Sequence, residues 1–332
     1  MVEYLSYVFF GFEVSDMQKK NSALGIVILT GSAVIWGVAF VFQVGSDLGS
    51  FWFNAIRFLI SCICLVPFIL FFDRKVLKDK VVFRKTLIWG GLKGIALFIA
   101  STLQMYGILL SRNSGKAGFL TGLYMILVPI FCAIIFKEKI TVLSIIAGTA
   151  GVAGLFLICL SNRTDFSFEW GDVLVVLSAI FFAIQIILID RKAFNLPSFS
   201  FTFAQFAAVV ILSFPAALIF ERSVEISGQT LRDNLAPLLF CGIMSGSIAY
   251  TGQVMGQRLT SPDLASIIMC TESVWATLGG LIFLHENLGW MGYLGCALIF
   301  GGILISKIGH RFHKSNSSEP PKEAYHEQQT ET

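Results

Sequence analysis

The sequence is poor in charged residues and lacks the motifs of several enzyme classes. Asp, Glu, Lys and Arg make up 14% of its 332 residues, whereas hydrophobic residues make up 55%. It contains no Gly-x-x-x-x-Gly-Lys-Ser/Thr loop, no His-Glu-x-x-His pair and no Gly-x-Ser-x-Gly elbow. We therefore expect a polytopic membrane protein that is not an enzyme and uses no cofactor. The mild net charge of +3 gives no indication of nucleic-acid binding.

Long apolar stretches fill most of the chain. Ten of them are each close to the roughly 20 residues that a helix needs to cross the hydrocarbon core of a bilayer. Backbone polar groups in lipid need partners within their own segment, so we expect an all-α membrane protein. The predicted spans are 24–45, 51–72, 87–110, 117–136, 141–160, 171–189, 199–220, 235–256, 264–284 and 289–307.

Basic residues are distributed unevenly over the connections between these spans. When the connections are numbered alternately from the N-terminus, one set holds most of the Lys and Arg residues. The other set holds only Arg112, Lys116, Arg163, Arg222 and Arg232. Because basic connections stay in the cytoplasm, both termini are predicted to be cytoplasmic.

Two parts of the chain repeat one pattern. Gln104-Met-Tyr-Gly-Ile-Leu-Leu, a loop, an apolar helix and Glu138 return as Gln253-Val-Met-Gly-Gln-Arg-Leu, a loop, an apolar helix and Glu286. The two Gln residues are 149 positions apart and the two Glu residues 148. Such duplication is typical of transporters with a substrate site between two repeats. Five spans per repeat is an odd number, so the copies are predicted to have opposite orientations.

The duplication divides the chain into four parts. Residues 23–161 are predicted to form the first repeat and residues 162–308 the second. Residues 1–22 are predicted to be a cytoplasmic segment without a secretory signal, and Met17 is a more ordinary start than Met1 for an inner-membrane protein. The polar stretch 309–332 is predicted to be a disordered cytoplasmic tail.

Charged residues inside the spans are the main candidates for function, because each costs free energy in lipid. Glu272, near the middle of the ninth span, is expected to bind a substrate amine or to carry a coupling proton. Lys93, in the third span, either extends to the cytoplasmic interface or faces a cavity and attracts a substrate anion. Pairing of the two residues with each other is a third alternative.

Other polar and aromatic residues have structural alternatives. Arg57, with Asn54 one turn earlier on the same face, is predicted to link helices. Gln104 and Gln253 stand out among the embedded glutamines, because equivalent positions of two repeats can face one central cavity. Three aromatic residues are cavity candidates for which simple packing is the alternative: Trp36, Tyr124 and Tyr250.

Cysteines and glycines in the spans favour packing roles. All seven cysteines lie in apolar stretches without a metal-ligand pattern, so we expect buried thiols and no metal site. Gly148, Gly151 and Gly154 in the fifth span, like Gly292 and Gly295 in the tenth, would let helices approach closely. Such faces serve either packing within the subunit or a homodimer contact.

Several short segments match the pattern of one family. They are Ala33-Val-Ile-Trp-Gly, Ala55-Ile-Arg-Phe-Leu, Gly118-Phe-Leu-Thr-Gly-Leu-Tyr, Gly171-Asp-Val-Leu, Thr271-Glu-Ser-Val-Trp-Ala and Gly295-Cys-Ala-Leu-Ile-Phe-Gly-Gly. In this order, and with the duplication, residues 20–308 resemble the drug/metabolite transporter superfamily, specifically its bacterial EamA-type members. The resemblance implies ten transmembrane helices in two inverted five-helix repeats around a central cavity, in a bacterial inner membrane. It also implies that Glu138 and Glu286 have structural roles at helix ends.

Three functions remain open at this point. The leading one is an alternating-access carrier for an amino acid or derivative, since Lys93 and Glu272 could bind the two ends of a zwitterion. The second is export of drugs, organic anions or nucleotide-linked metabolites on the same fold. The third is a membrane scaffold or receptor. The expected partners are a small-molecule substrate and the lipid bilayer.

Overall fold

Helices make up the part of the chain that the structure describes. This computed structural model describes residues 17–74, 78–111, 114–137, 142–161, 169–193, 196–224, 226–283 and 289–316. The helices are α1 (Met17–Val44), α2 (Ser50–Phe68), α3 (Lys80–Ser111), α4 (Ser114–Gly122), α5 (Tyr124–Phe136), α6 (Val142–Ser161), α7 (Trp170–Lys192), α8 (Ser198–Phe220), α9 (Gly228–Asp233), α10 (Leu235–Leu239), α11 (Thr251–Gln257), α12 (Pro262–Met269), α13 (Glu272–Phe283) and α14 (Trp290–Asn316). The π-helical segment Ile69–Asp73 continues α2, and Phe240–Tyr250 joins α10 to α11. Within the described ranges no strand occurs.

Seven helical segments are long and apolar enough to cross a membrane. They are Ala23–Val44, Ser50–Asp73, Lys80–Leu110, Ala117–Phe136, Trp170–Lys192, Ser198–Phe220 and Leu235–Gln257. These correspond to seven of the ten predicted spans. In the described residues, the apolar helices of the other three are shorter: Ile145–Gly154, Leu264–Ala276 and Trp290–Gly302. The helical, multi-pass architecture agrees with the sequence, whereas the count of ten stays a prediction.

The predicted terminal segments are described only in part. Helix α1 already begins at Met17, within the predicted segment 1–22. Helix α14 continues to Asn316, into the predicted tail 309–332. Residues 1–16 and 317–332 lie outside the described residues.

The fourth and ninth predicted spans are each interrupted near the middle. Helix α5 begins at Tyr124 and α13 at Glu272, two positions that are 148 apart. The turn before each is the same: Leu123 N–H donates to the Leu120 carbonyl at 3.4 Å, and Thr271 N–H donates to the Ile268 carbonyl at 3.2 Å. Interrupted helices in a membrane are tolerated where they are buried or line a cavity, so the two breaks mark the region of the site.

Helices α2 and α8, the second helix of each copy, cap each other's N-termini. The Glu221 carboxylate, directly after α8, accepts hydrogen bonds from the backbone N–H groups of Phe51 and Trp52, both at 3.0 Å. At the other end, the Asp73 carboxylate accepts from the backbone N–H of Ser200 at 2.7 Å and from its hydroxyl at 2.8 Å. The two acids are 148 positions apart. Carboxylates at helix N-termini satisfy unpaired N–H groups, so these contacts hold the two helices antiparallel.

A third helix contributes to each of these caps. The Tyr106 hydroxyl of α3 donates to Glu221 at 3.0 Å. At the opposite end, Arg258 follows α11, donates from Nη2 to the Leu196 carbonyl at 2.5 Å and lies near Asp73. Burial lowers the pKa of the Arg258 guanidinium to about 10, and the Asp73 carboxylate opposes this change. Arg258 therefore stays charged at neutral pH.

Removal of the Glu221 carboxylate should destabilise the protein. In Glu221→Ala the N–H groups of Phe51 and Trp52 and the Tyr106 hydroxyl lose their acceptor. A fully buried unpaired group costs about 1–3 kcal/mol, and these partly buried groups should each cost less. Thermal unfolding in detergent should show a clear drop in Tm. Asp233→Ala, which removes an exposed acid of the same connection, is the control and should melt like the wild type. Equal Tm values for the two variants would contradict the role of the cap.

Candidate functional site

A central cavity lies at the level of the two helix breaks, between helices of both copies. It encloses about 50 Å³ of space accessible to water, enough for a few water molecules. Its aromatic wall includes Trp36, Phe40, Phe182 and Tyr250. Its polar lining includes Gln43, Arg57, Gln104, Gln185, Gln253 and Glu272. An acid, a cation and several amides thus meet in an otherwise apolar space.

Glu272 occupies the first position of α13 and lines the cavity. Its side chain is only 5% exposed, and its Oε1 atom has no hydrogen-bond partner within the described part of the chain. Tyr124, at the equivalent position of α5, also lines the cavity and interacts electrostatically with Glu272. Its hydroxyl faces the Glu272 carboxylate, although the contact does not meet the geometry of a hydrogen bond. Buried polar atoms without partners cost free energy, so both groups would be stabilised by a polar ligand.

Among the described residues, Arg57 is the cation that lines the cavity. Its Nε donates to Asn54 Oδ1 at 3.0 Å, a bond within α2. Its guanidinium lies 4.4 Å from the ring centre of Phe58 and 5.3 Å from that of Phe53. Asn54 also donates to Thr102 Oγ1 of α3 at 3.5 Å. Asn54 therefore has the predicted linking contacts, whereas Arg57 also faces the cavity, which the sequence did not predict.

Lys93 lies beside the cavity rather than on it. It is fully buried, and its Nζ donates to Gln205 Oε1 at 2.6 Å. The Nζ atom is 5.6 Å from the ring centre of Tyr250, which does line the cavity. The side chain therefore contacts Gln205 instead of extending to the interface, lining the cavity or pairing with Glu272, the three arrangements considered from the sequence.

Some of the remaining residues predicted for the site line the cavity. Gln104 and Gln253 both line the cavity; Gln104 Nε2 donates to Thr121 Oγ1 at 3.0 Å, whereas Gln253 Oε1 has no partner among the described residues. Trp36 Nε1 donates to the Ser245 carbonyl at 3.4 Å. Glu138 and Glu286 lie outside the described residues. Gln43 and Gln185 were not singled out, although a glutamine inside an apolar span is itself a signal.

The cavity offers binding groups rather than a metal centre. Within the described residues, no group of three or more His, Cys, Asp or Glu side chains could hold a metal ion. Both side-chain polar atoms of Gln185 and the Gln43 Oε1 atom lack partners in the described part of the chain. These atoms, with those of Tyr124 and Glu272, can donate to and accept from a small polar molecule.

Comparisons with known proteins agree with this architecture. The model of the EamA-like transporter family matches residues 23–160 and again residues 169–307. An "Uncharacterized transporter" of Archaeoglobus fulgidus is 28% identical over 305 residues, which cover 89% of this chain and 92% of the relative. An "Uncharacterized transporter in sor 3'region" of Acidianus ambivalens is 23% identical over 269 residues, which cover 80% and 96%.

A solved structure is similar in fold. Described only as "Crystal structure of protein", it has a TM-score of 0.69 and 19% identity, and the match covers 88% of this chain and 99% of the other. The family match covers both halves of the chain, including the interrupted helices and the cavity between them. The protein therefore belongs to the EamA-like transporter family and is a multi-pass membrane transporter.

Proposed function

We propose that the protein carries a small apolar amino acid, or a close derivative, across the membrane by alternating access. The observation that supports this most is the placement of Arg57 and Glu272. A buried cation from the first copy and a buried acid from the second line the same small cavity. The two groups proposed to bind the ends of the substrate are therefore Arg57 and Glu272. From the sequence, Lys93 and Glu272 were expected.

A zwitterion meets the needs of both side chains. An amino acid carries its carboxylate and its ammonium group on one carbon atom, and both need partners when they leave water. The planar guanidinium of Arg57 is suited to a carboxylate. The Glu272 carboxylate, with its unpartnered Oε1, is suited to the ammonium group. Each charged group of the substrate would thus face a side chain that can carry the opposite charge.

The wall of the cavity favours a small apolar side chain. Trp36, Phe40 and Phe182 offer aromatic contacts, and a second net charge on the substrate would need a partner there. The accessible space of about 50 Å³ favours a compact molecule.

The proposed transport cycle uses two inverted repeats of five spans each, with both termini cytoplasmic in a bacterial inner membrane. The antiparallel pair α2 and α8 and the matching breaks before Tyr124 and Glu272 support this arrangement. In such repeats, access alternates when one half moves against the other around a fixed site. Glu272 is the candidate carrier of a coupling proton.

A second candidate is the export of an organic anion. It is favoured by two buried cations near the cavity, Arg57 and Lys93, whereas Glu272 is the one acid that lines it among the described residues. An anion would need Arg57 but not Glu272. Substrates that differ in a single charged group therefore distinguish the two proposals.

The test is transport by the purified protein in liposomes. Labelled glycine, L-alanine, L-leucine and L-phenylalanine are offered alongside two analogues of phenylalanine. Phenethylamine lacks the carboxylate, and 3-phenylpropionate lacks the ammonium group. We expect saturable, protein-dependent counterflow of the amino acids and little of either analogue, with protein-free liposomes as the control. Transport of 3-phenylpropionate without transport of any amino acid would favour the anion exporter instead.

A further inference from the structure

Two buried cations occupy equivalent places in the two copies, although they come from different helices. The Arg57 Cζ atom of α2 lies 5.3 Å from the ring centre of Phe53. The Lys93 Nζ atom of α3 lies 5.9 Å from the ring centre of Phe201. Phe53 and Phe201 are 148 positions apart, the offset that relates the two breaks and the two caps. Each cation therefore lies against the same ring of a different copy.

The residues that contact the two cations also occupy equivalent positions. At one site the first position of the pair carries the cation, and at the other site the second position does. The counterpart of Arg57, 148 positions later, is Gln205, which accepts the hydrogen bond from Lys93. The counterpart of Lys93 is Cys241, which interacts with the Arg57 guanidinium. We call Arg57 with Cys241 the first cation site and Lys93 with Gln205 the second cation site. Each site holds one cation, supplied by α2 in the first and by α3 in the second.

The backbone around the two sites has the same equivalence. A Cβ atom added at Gly242 would lie 2.9 Å from the Arg57 carbonyl oxygen. A Cβ atom added at Gly94, 148 positions earlier, would contact the Gln205 carbonyl oxygen. The close helix contacts that place the cations are therefore also repeated.

The two cation sites lie on either side of an aromatic cluster. The rings of Phe58 and Phe206, again 148 positions apart, pack with their centres 5.0 Å apart. The Tyr250 ring lies 6.2 Å from the first and 5.6 Å from the second. Equivalent residues of two copies can touch each other only near the two-fold axis that relates them. The cavity reaches Arg57 on one side of this axis, whereas Lys93 on the other side is fully buried.

We infer that the second cation site is the position of the substrate carboxylate when the transporter opens to the opposite face. The inference rests on the proposed amino-acid transport. If the two copies exchange conformations during the cycle, Lys93 lines the cavity in the opposite state and Arg57 is sealed. The substrate carboxylate then replaces Gln205 Oε1 as the acceptor for Lys93. Glu272 and Tyr124 occupy equivalent positions, so the ammonium group stays at the breaks while the carboxylate changes partner.

The first test is the sidedness of substrate affinity. Uptake of labelled L-leucine is measured in liposomes that contain the protein in one orientation, from the outside and from the lumen. Arg57→Gln should raise KM at one face by about 10- to 100-fold, as expected for a lost hydrogen bond to a charged group. Lys93→Gln should raise KM by a similar factor at the other face. An effect of both variants at the same face, or no effect of Lys93→Gln at either, would overturn the inference.

A double variant tests whether a cation at the second cation site is sufficient, or whether the charge must come from α3. Lys93→Cys combined with Gln205→Arg rebuilds the Arg–Cys pair of the first cation site at the second. It should return the affected KM to within a few-fold of the wild type, whereas Lys93→Cys alone should not. A double variant with wild-type Tm and no rescue would show that the lysine itself is required, and would refute the equivalence.

A measurement without substrate separates this inference from the proposed function. Arg57→Cys and Gln205→Cys are treated with a membrane-impermeant methanethiosulfonate reagent from each face, with the wild type as the background. The two introduced thiols should react from opposite faces. Reaction of both from one face overturns the inference even if amino acids are transported. If the two thiols react from opposite faces but the wild type transports no amino acid, the proposed substrate is wrong. The binding of a substrate carboxylate at the second cation site is then wrong as well.

Discussion

Replacing Glu272 by Gln should remove most amino-acid transport without lowering the Tm. The amide keeps the size of the side chain but cannot neutralise the ammonium group of a substrate. Loss of a hydrogen bond to a charged group costs about 1.5–3 kcal/mol, which is about 10- to 100-fold in kcat/KM. Because Glu272 Oε1 forms no hydrogen bond of good geometry in the described part of the chain, the amide should cost folding little. The measurements are kcat/KM for L-leucine in liposomes and thermal unfolding in detergent.

Tyr124 provides the matched control for this prediction. Tyr124→Phe removes a neutral hydroxyl beside Glu272 at the equivalent break but no carboxylate, so kcat/KM should fall by less than about tenfold. Glu272→Asp keeps the charge at a shorter reach and should retain part of the activity. A Glu272→Gln variant with wild-type kcat/KM and a lower Tm would identify Glu272 as a structural residue.

Replacing Gly37 by Ala should both destabilise the protein and stop transport. A Cβ atom at this position of α1 would lie 2.6 Å from the Glu272 carbonyl oxygen and 2.8 Å from the Ala276 backbone nitrogen. Backbone atoms cannot rotate away, so α1 and α13 would have to separate. Such overpacking typically costs about 1–3 kcal/mol, and the shift would move Glu272 itself. The measurements are thermal unfolding and counterflow of L-leucine.

Gly31 of the same helix is the control for Gly37. A Cβ atom at Gly31 would meet no atom within 4 Å. Since Ala is favoured over Gly in a helix by about 1 kcal/mol, Gly31→Ala should fold as well as the wild type or better. Similar losses of stability in both variants would show that the spacing between α1 and α13 is not what Gly37 sets.

The helical architecture could be predicted because lipid leaves a polypeptide few alternatives. A run of about 20 apolar residues must satisfy its own backbone, and this makes it a helix. The interruptions before Tyr124 and Glu272 could not be predicted in this way. They are not set by a proline at either turn, and they depend on packing against helices that are distant in the sequence. The offset of 148 positions and the matched hydrogen bonds at Leu123 and Thr271 make the two breaks recognisable as one feature.

The candidate site could be predicted in its residue types but not in its pairing. Glu272, Gln104 and Gln253 attract attention because polar groups are rare in apolar spans. Whether Arg57 or Lys93 faces the cavity depends on the rotation of α2 and α3 about their axes, which the sequence does not encode locally. The partner of Lys93, Gln205, comes from the other copy of the repeat. Placement of the cation therefore required the tertiary structure.

The caps formed by Asp73 and Glu221 had a signal in the sequence that was missed. The acids are 148 positions apart, as are Ser50 and Ser198, the first residues of the helices that they cap. Both acids lie at the ends of apolar spans, where charged residues are common and draw little attention. The same offset of 148 relates them as it relates Glu138 and Glu286, which also lie at span ends.

The reciprocal caps also constrain how the two helices can change in length. From Ser50 to Asp73 and from Ser198 to Glu221 the chain covers 24 residues in each case. Deleting one residue from either segment would move its acid by about 1.5 Å along the helix and about 100° around it, away from the N–H groups it binds. Because the helices are antiparallel, deleting about one whole turn from both would restore the match in length and keep each acid near its original rotation. Insertions and deletions in α2 and α8 are therefore expected to occur together, so that the two helices keep equal lengths.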